Sequence, residues 1–231
     1  MPGQNFLNDF VALFFPRTCN ACGEVLIRVE SYICQFCFLR LPFARLTGES
    51  ENSVTEIFWG RVPIETGTVL FFFEKGGKVQ ELIHNFKYRG FKEVGWYLGK
   101  LLGTELRDSL NYKGIQLVVP VPLHPLKLRQ RGFNQSEEFG RGLADSLGVS
   151  QNTIGLQRII PTATQTRKTR FRRWENVESV FQVSDPRVFE NRNILLVDDV
   201  ITTGATMESC ARLILQSPGS RVWLAAIALA T

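Results

Sequence analysis

Ile194-Leu195-Leu196-Val197-Asp198-Asp199-Val200-Ile201-Thr202-Thr203-Gly204-Ala205-Thr206 is the stretch whose reading decides the fold. Four apolar residues read as a buried strand, two adjacent carboxylates sit where that strand should end, and a Thr/Gly segment turns the chain into a helix. Met207, Cys210, Leu213 and Ile214 fall on one apolar face of that helix, over 205–216. Its N-terminus gathers unpaired N–H groups and the positive end of the helix dipole, which favours a phosphate. Thr202, Thr203 and Thr206 add hydroxyl donors, and Gly204 lets backbone approach an anion. Asp198 and Asp199 can accept hydrogen bonds from sugar hydroxyls or help hold Mg²⁺. Together these groups suit a ribose 5-phosphate; the plainer alternative is a strand-turn-helix corner with Asp199 capping a helix.

Every position of the stretch conforms to the phosphoribosyl pyrophosphate (PRPP) motif of the type I phosphoribosyltransferases, which it closely resembles. That resemblance implies that Asp198 and Asp199 hold the ribose hydroxyls. It implies that Thr202, Thr203, Gly204, Ala205 and Thr206 hold the 5-phosphate.

The whole chain has 231 residues, 44% hydrophobic and 21% charged, as in a soluble globular protein. That is enough for one α/β domain and a small appendage. No apolar run reaches the roughly 18 residues of a membrane span, and none is expected. The N-terminal Phe6, Phe10, Leu13 and Phe14 read as one face of a short helix stopped by Pro16; it lacks the basic region and cleavage site of a signal peptide. Packing against the protein is the simpler use of that face, with a membrane-surface role as the alternative. The expected location is the cytoplasm, with a peripheral place at the inner face of the membrane left open.

Cys19-Asn20-Ala21-Cys22 and Cys34-Gln35-Phe36-Cys37 form a C-x2-C-x11-C-x2-C pattern, which lets four thiolates converge on one tetrahedral Zn²⁺. With Cys19, Cys22, Cys34 and Cys37 all sulfur ligands, no coordination position stays open, so the metal is expected to be structural. Disulfides or a redox pair are the alternatives, disfavoured by the absence of export signals. Cys210 reads as core. The polar stretch after Leu41-Pro42 looks like a join, which gives an N-terminal helix and zinc knuckle over 1–44, a linker over 45–66 and the main domain over 67–231. The 57–61 segment could pack with either part.

In the main domain, 69–73 and 116–121 read as strands and 79–88 and 92–110 as helices, with His84 a partly buried histidine beside the first helix's apolar stripe. A basic loop follows, with Lys127, Arg129 and Arg131 at alternate positions, then a helix over 134–147 begun by an Asn134/Glu137 capping box. Alone, that loop is best read as a solvated surface. A further strand is expected over 154–160, and a second basic run holds Arg167, Lys168, Arg170, Arg172 and Arg173. The apolar run 221–229 suits a strand covered on both faces. Alternating strands and helices predict a mostly parallel sheet flanked by helices, with ligands beyond the carboxyl ends of its strands.

Pro120-Val121-Pro122-Leu123-His124, the Arg131-Gly132-Phe133-Asn134-Gln135 string, Lys87-Tyr88-Arg89-Gly90 and the four-Cys knuckle resemble the ComF family of phosphoribosyltransferase-like proteins. The resemblance spans almost the whole chain. It implies a type I phosphoribosyltransferase fold with a four-Cys zinc finger, and a pyrophosphate loop in which Lys127, Arg129 and Arg131 act as a group. It implies a flexible hood, matched by Gln165, Arg173, Asn176, Val177 and Phe181, whose cations, Arg170 and Arg172 among them, would close over the ligand or contact nucleic acid. The implied activity is transfer of a phosphoribosyl group from PRPP, with Mg²⁺, to an acceptor, releasing pyrophosphate. The implied setting is competence for DNA uptake and natural transformation, with single-stranded DNA and other DNA-uptake proteins as partners. A rival reading keeps the PRPP pocket in a single-stranded-DNA-binding protein without turnover; Phe133, Phe171 and Trp174 would then be stacking surfaces.

Overall fold

Ile194, Leu195, Leu196 and Val197 are all fully buried, so this strand is covered on both faces. In a computed structural model, which describes residues 15–158 and 180–230, it is β6 (Asn193–Ile201), the centre of a five-stranded sheet. Its neighbours are β7 (Arg221–Ala230), then β1 (Gly67–Phe73), on one side, and β2 (Leu117–Pro120), then β3 (Ser150–Gln151), on the other. Every pairing in this sheet is parallel. The expected class, a mostly parallel α/β sheet with a four-cysteine appendage, is the one seen.

Alternation along β6 divides the core in two. Leu195 and Val197 pack with helices α3 (Lys78–Tyr88), α4 (Lys92–Asp108) and α6 (Gln135–Leu147), and the same cluster takes in Cys19, Cys34 and Cys37 of the knuckle, the last on the short α1 (Gln35–Phe38). Ile194 and Leu196 face α2 (Ser53–Phe58), α7 (Ala205–Ile214) and a separate antiparallel ribbon of β4 (Leu156–Arg158) and β5 (Phe181–Val183). Cys210 is buried among these apolar residues, as expected for a core thiol.

Helices α4 and α6 approach most closely at Gly99 and Gly142. A Cβ on Gly99 would lie 2.9 Å from the Cα of Gly142 and against the Phe139 carbonyl; one on Gly142 would lie 2.8 Å from the Lys100 nitrogen. Backbone thus approaches backbone, and the two helices could not close to this distance with alanine at either position.

Several sequence expectations need correction. Strand β6 does not end at the carboxylates: Val200 and Ile201 remain paired with Ala228 and Leu229 of β7, because the long apolar run of β7 continues beside them. The basic loop is largely a helix, α5 (Pro125–Arg131). His124 caps it by accepting the N–H of Leu126, Pro125 occupies its first turn, and Gly132, at φ +79°, ends it. Asn134 caps α6 through the N–H of Ser136, and no reciprocal bond from Glu137 is found among the described residues. The polar join contains α2, closed by a capping box between Asn52 and Thr55. His84 is exposed and stacks on Tyr88, with ring centroids 5.0 Å apart.

Phe6, Phe10, Leu13 and Phe14 lie outside the described residues. So do Gln165, Arg167, Lys168, Arg170, Phe171, Arg172, Arg173, Trp174, Asn176 and Val177 of the expected hood; β4 leads into that segment and β5 follows it.

Candidate functional site

From β2 the chain moves outward to β3, and from β6 it moves the opposite way to β7. The carboxyl ends of β2 and β6 therefore border the point where strand order reverses, the ordinary ligand crevice of such sheets. The Val121 N–H donates to the Val197 carbonyl at 2.9 Å, fixing the two strand ends side by side.

Asp198 and Asp199 stand at this point and point to different partners. Asp198 Oδ1 accepts the Ser136 hydroxyl at 2.8 Å and the N–H of Asp199 at 2.8 Å; Ser136 sits in the first turn of α6. Burial, and then the neighbouring Asp199 carboxylate, push the Asp198 carboxyl up to about 7, with Ser136 working against the rise. Asp199 Oδ2 instead faces Lys87 Nζ at 2.7 Å, from the last turn of α3.

The turn that follows is open. Thr202, Thr203, Ala205 and Thr206 are exposed, and with Asp198 they line a shallow hollow of about 30 Å³. Gly204 is the N-cap of α7 and offers no capping side chain; the Ala205 N–H of the first turn donates to Thr203 Oγ1 at 3.5 Å. Its lack of Cβ answers to a different neighbour than expected. At φ +74°, a methyl here would lie 2.8 Å from Ile57 Cγ2 and 2.9 Å from Phe58 Cζ, so α2 holds the turn from behind. Arg61 extends that support: Nη1 donates to the carbonyls of Ile57 at 2.9 Å and Thr203 at 2.8 Å, and Nε pairs with Glu208 at 2.8 Å. Burial disfavours the ionised Glu208, but Arg212 and Arg61 outweigh it and hold the carboxyl below its usual value. An acid in the first turn of α7 is thereby neutralised.

The three cations of the expected pyrophosphate loop are divided. Lys127 and Arg129 are exposed on α5. Arg131 turns inward: it donates to Gln135 Oε1 at 2.7 Å and lies over the Tyr88 ring at 5.3 Å. Sequence reasoning missed Lys87, Ser136, Arg61 and Tyr88. Of these only Lys87 and Tyr88 had a local signal, in the Lys87-Tyr88-Arg89-Gly90 string.

Cys19, Cys22, Cys34 and Cys37 come together with all four Sγ atoms within 4.8 Å of one another. Tetrahedral Zn²⁺ with bonds of about 2.3 Å sets neighbouring sulfurs about 3.8 Å apart, and Cys22 and Cys34 stand at 3.8 Å. Cys19 Sγ accepts N–H bonds from Cys34 at 3.3 Å and Ala21 at 3.4 Å, and Cys34 Sγ accepts one from Cys37 at 3.4 Å. For Cys19, burial raises the thiol pKa, but these backbone donors more than offset it, which favours the thiolate a metal needs. Lys78 Nζ lies 3.3 Å from Cys37 Sγ, and Asn85 donates to the Asn20 carbonyl at 2.8 Å. Both residues belong to α3, so the cluster fits a structural metal and is docked on the helix that carries Lys87.

Fold and site together define a parallel α/β protein with the motif's strand, turn and helix at the sheet's switch point and a knuckle of four convergent cysteines beside it. No family model matches the chain. It is 32% identical over 144 residues to the DNA utilization protein YhgH of Salmonella typhimurium, covering 61% of this chain and 63% of that protein. Competence protein F of Haemophilus influenzae is 29% identical over 137 residues, or 58% of this chain and 60% of that one. Competence protein ComFC of Bacillus subtilis is 24% identical over 200 residues, or 87% and 78%. The matches to the first two thus span less than two thirds of those relatives, and the ComF-family resemblance read from the residues stands on named relatives. Among solved structures, the glutamine PRPP amidotransferase of B. subtilis aligns at a TM-score of 0.42 and 18% identity, over 58% of this chain and 26% of that one. Adenine phosphoribosyltransferase of Saccharomyces cerevisiae aligns at 0.40 and 17%, over 64% and 73%. No helix among the described residues is long and apolar enough to cross a membrane.

Proposed function

We propose that the chain binds PRPP at the carboxyl ends of β2 and β6 and transfers its phosphoribosyl group to an acceptor, releasing pyrophosphate. The observation that carries this reading is the pairing, at the switch point, of two adjacent carboxylates with a hydroxyl-bearing helix N-terminus whose N-cap is a glycine. In this reading Asp198 and Asp199 accept the ribose hydroxyls, and the turn with Thr202, Thr203, Gly204, Ala205 and Thr206 holds the 5-phosphate. The bond from C1 to the pyrophosphate oxygen breaks, its electron pair leaves with pyrophosphate, and the acceptor supplies the new bond to C1. No side chain is asked to act as a covalent nucleophile. The tasks are to orient the sugar and to neutralise the leaving group, for which Lys127, Arg129 and Arg131 are the candidate cations. Asp198 and Asp199 are also the residues that would hold Mg²⁺, which supplies further neutralisation of the diphosphate. Gln165, Arg170, Arg172, Arg173 and Asn176 belong to this proposal as the hood that excludes water. Zn²⁺ in the knuckle would keep α3 in place.

The names of the relatives, DNA utilization and competence proteins, support a setting in DNA utilization or competence. They equally favour the second reading, a PRPP-responsive protein that binds single-stranded DNA without turnover. Calorimetry separates the two. PRPP with Mg²⁺ should bind the wild type and bind Asp199→Asn at least tenfold more weakly; no PRPP binding by the wild type refutes the site. Nucleobases or single-stranded oligonucleotides are then added. Pyrophosphate release on addition supports transfer, whereas binding of the oligonucleotide with no release supports the second reading.

A further inference from the structure

Lys87 is the one basic side chain within ion-pair distance of the acid pair among the described residues. Its Nζ stands 2.7 Å from Asp199 Oδ2, and the two side chains are 19% and 17% exposed, so the contact is largely withdrawn from water. The carboxylates are satisfied differently. Asp198 is held by neutral donors, the Ser136 hydroxyl and a backbone N–H, that can remain in place when a ligand arrives. Asp199 is held instead by the ammonium, which occupies an oxygen that a sugar hydroxyl or a divalent cation would need. A lysine is suited to giving way: its ammonium is a point charge on a flexible four-carbon stem, without the fixed fork of an arginine. The stem is rooted in the last turn of an eleven-residue helix, where the dipole favours a cation whether or not the ion pair is made.

We propose that Lys87 is a resident cation of the site. It neutralises Asp199 in the free protein, and on ligand binding it passes from Asp199 to the pyrophosphate end of the ligand. This rests on the PRPP reading above. Binding exchanges one partner of the ammonium for another: Asp199 gains the sugar hydroxyls or Mg²⁺, and the ammonium gains a phosphate oxygen. The acid pair is never left bare, and the charge needed by the leaving group is already stationed beside it. Arg131, engaged by Gln135 and stacked on Tyr88, has less freedom to do the same.

Comparing PRPP with ribose 5-phosphate, which has the sugar and 5-phosphate but no pyrophosphate, tests this. Wild type, Lys87→Met and Lys87→Arg are titrated with each ligand in the presence of Mg²⁺, and thermal melts confirm that the variants are folded. Lys87→Met should weaken PRPP binding at least tenfold while ribose 5-phosphate binds as well as before, or more tightly, because Asp199 has been freed. Lys87→Arg should recover most of the PRPP affinity. Equal weakening of both ligands assigns Lys87 a purely structural role and overturns the proposal, as does no effect on either. A wild type that binds ribose 5-phosphate but gains nothing from the pyrophosphate also overturns it, while the 5-phosphate turn survives. Failure of the wild type to bind either ligand removes the site reading itself, and this inference with it.

Discussion

Replacing Gly204 with alanine tests whether α2 buttresses the phosphate turn. The position has φ +74°, and the added methyl would meet Ile57 Cγ2 at 2.8 Å and Phe58 Cζ at 2.9 Å. Two costs combine. A left-handed backbone costs a non-glycine residue about 1–2 kcal/mol, offset by about 0.4–1 kcal/mol from the stiffer unfolded chain. Overpacking against α2 adds about 1–3 kcal/mol. Gly132 supplies the backbone term alone, because it has φ +79° and nothing within 4 Å of where its Cβ would lie. Gly132→Ala should therefore cost about 1 kcal/mol, and Gly204→Ala about 1–3 kcal/mol more. For a chain of this size the gap between their melting temperatures is about 2–12 °C, measured by calorimetry with excess zinc. Gly204→Ala should also bind ribose 5-phosphate more weakly, since the turn must move off Phe58. Equal melting temperatures for the two variants would refute the buttress.

Two further outcomes follow from the site. Because Asp198 has its folded-state pKa raised to about 7, its protonated form favours folding, and that contribution is lost as pH rises from the unfolded carboxylate range through 7. A ligand that needs the ionised acid should accordingly bind about tenfold more tightly at pH 8 than at pH 6. Asp198→Asn should abolish the part of the rise above the ligand phosphate's own pKa of about 6; an undiminished rise in that variant would count against Asp198. The knuckle should hold one Zn²⁺ per chain by elemental analysis, and chelation should speed hydrogen exchange in α3, which donates to Cys37 through Lys78 and to Asn20 through Asn85. Unchanged exchange there would mean that the metal supports only its own loop.

What the sequence disclosed was what is encoded locally. Four apolar residues, two acids and a Thr-Thr-Gly turn are contiguous, so β6, the turn and α7 could be read directly, as could a cysteine spacing fixed by tetrahedral geometry. The end of β6 could not, because Val200 and Ile201 stay in the sheet through partners on β7. Helix α5 was misread although its signals were present: a proline in its first turn and a glycine just past its end. They were outweighed by a basic composition that suits a loop equally well. Lys87, Arg61 and Ser136 were beyond reach for a different reason. Their contacts with Asp199, Thr203 and Asp198 join distant parts of the chain, and strand order, which no local pattern fixes, is what brings them together.

The close approach of α4 and α6 at two glycines reaches further than helix packing. Helix α6 begins at the switch point, and its second residue is the serine that grips Asp198. How far that hydroxyl stands from the carboxylate is thus governed by how closely Gly99 and Gly142 let two cylinders of backbone nestle, well away from any reacting atom. A single methyl inserted there would act as a shim, widening the mouth of the crevice without touching anything that lines it.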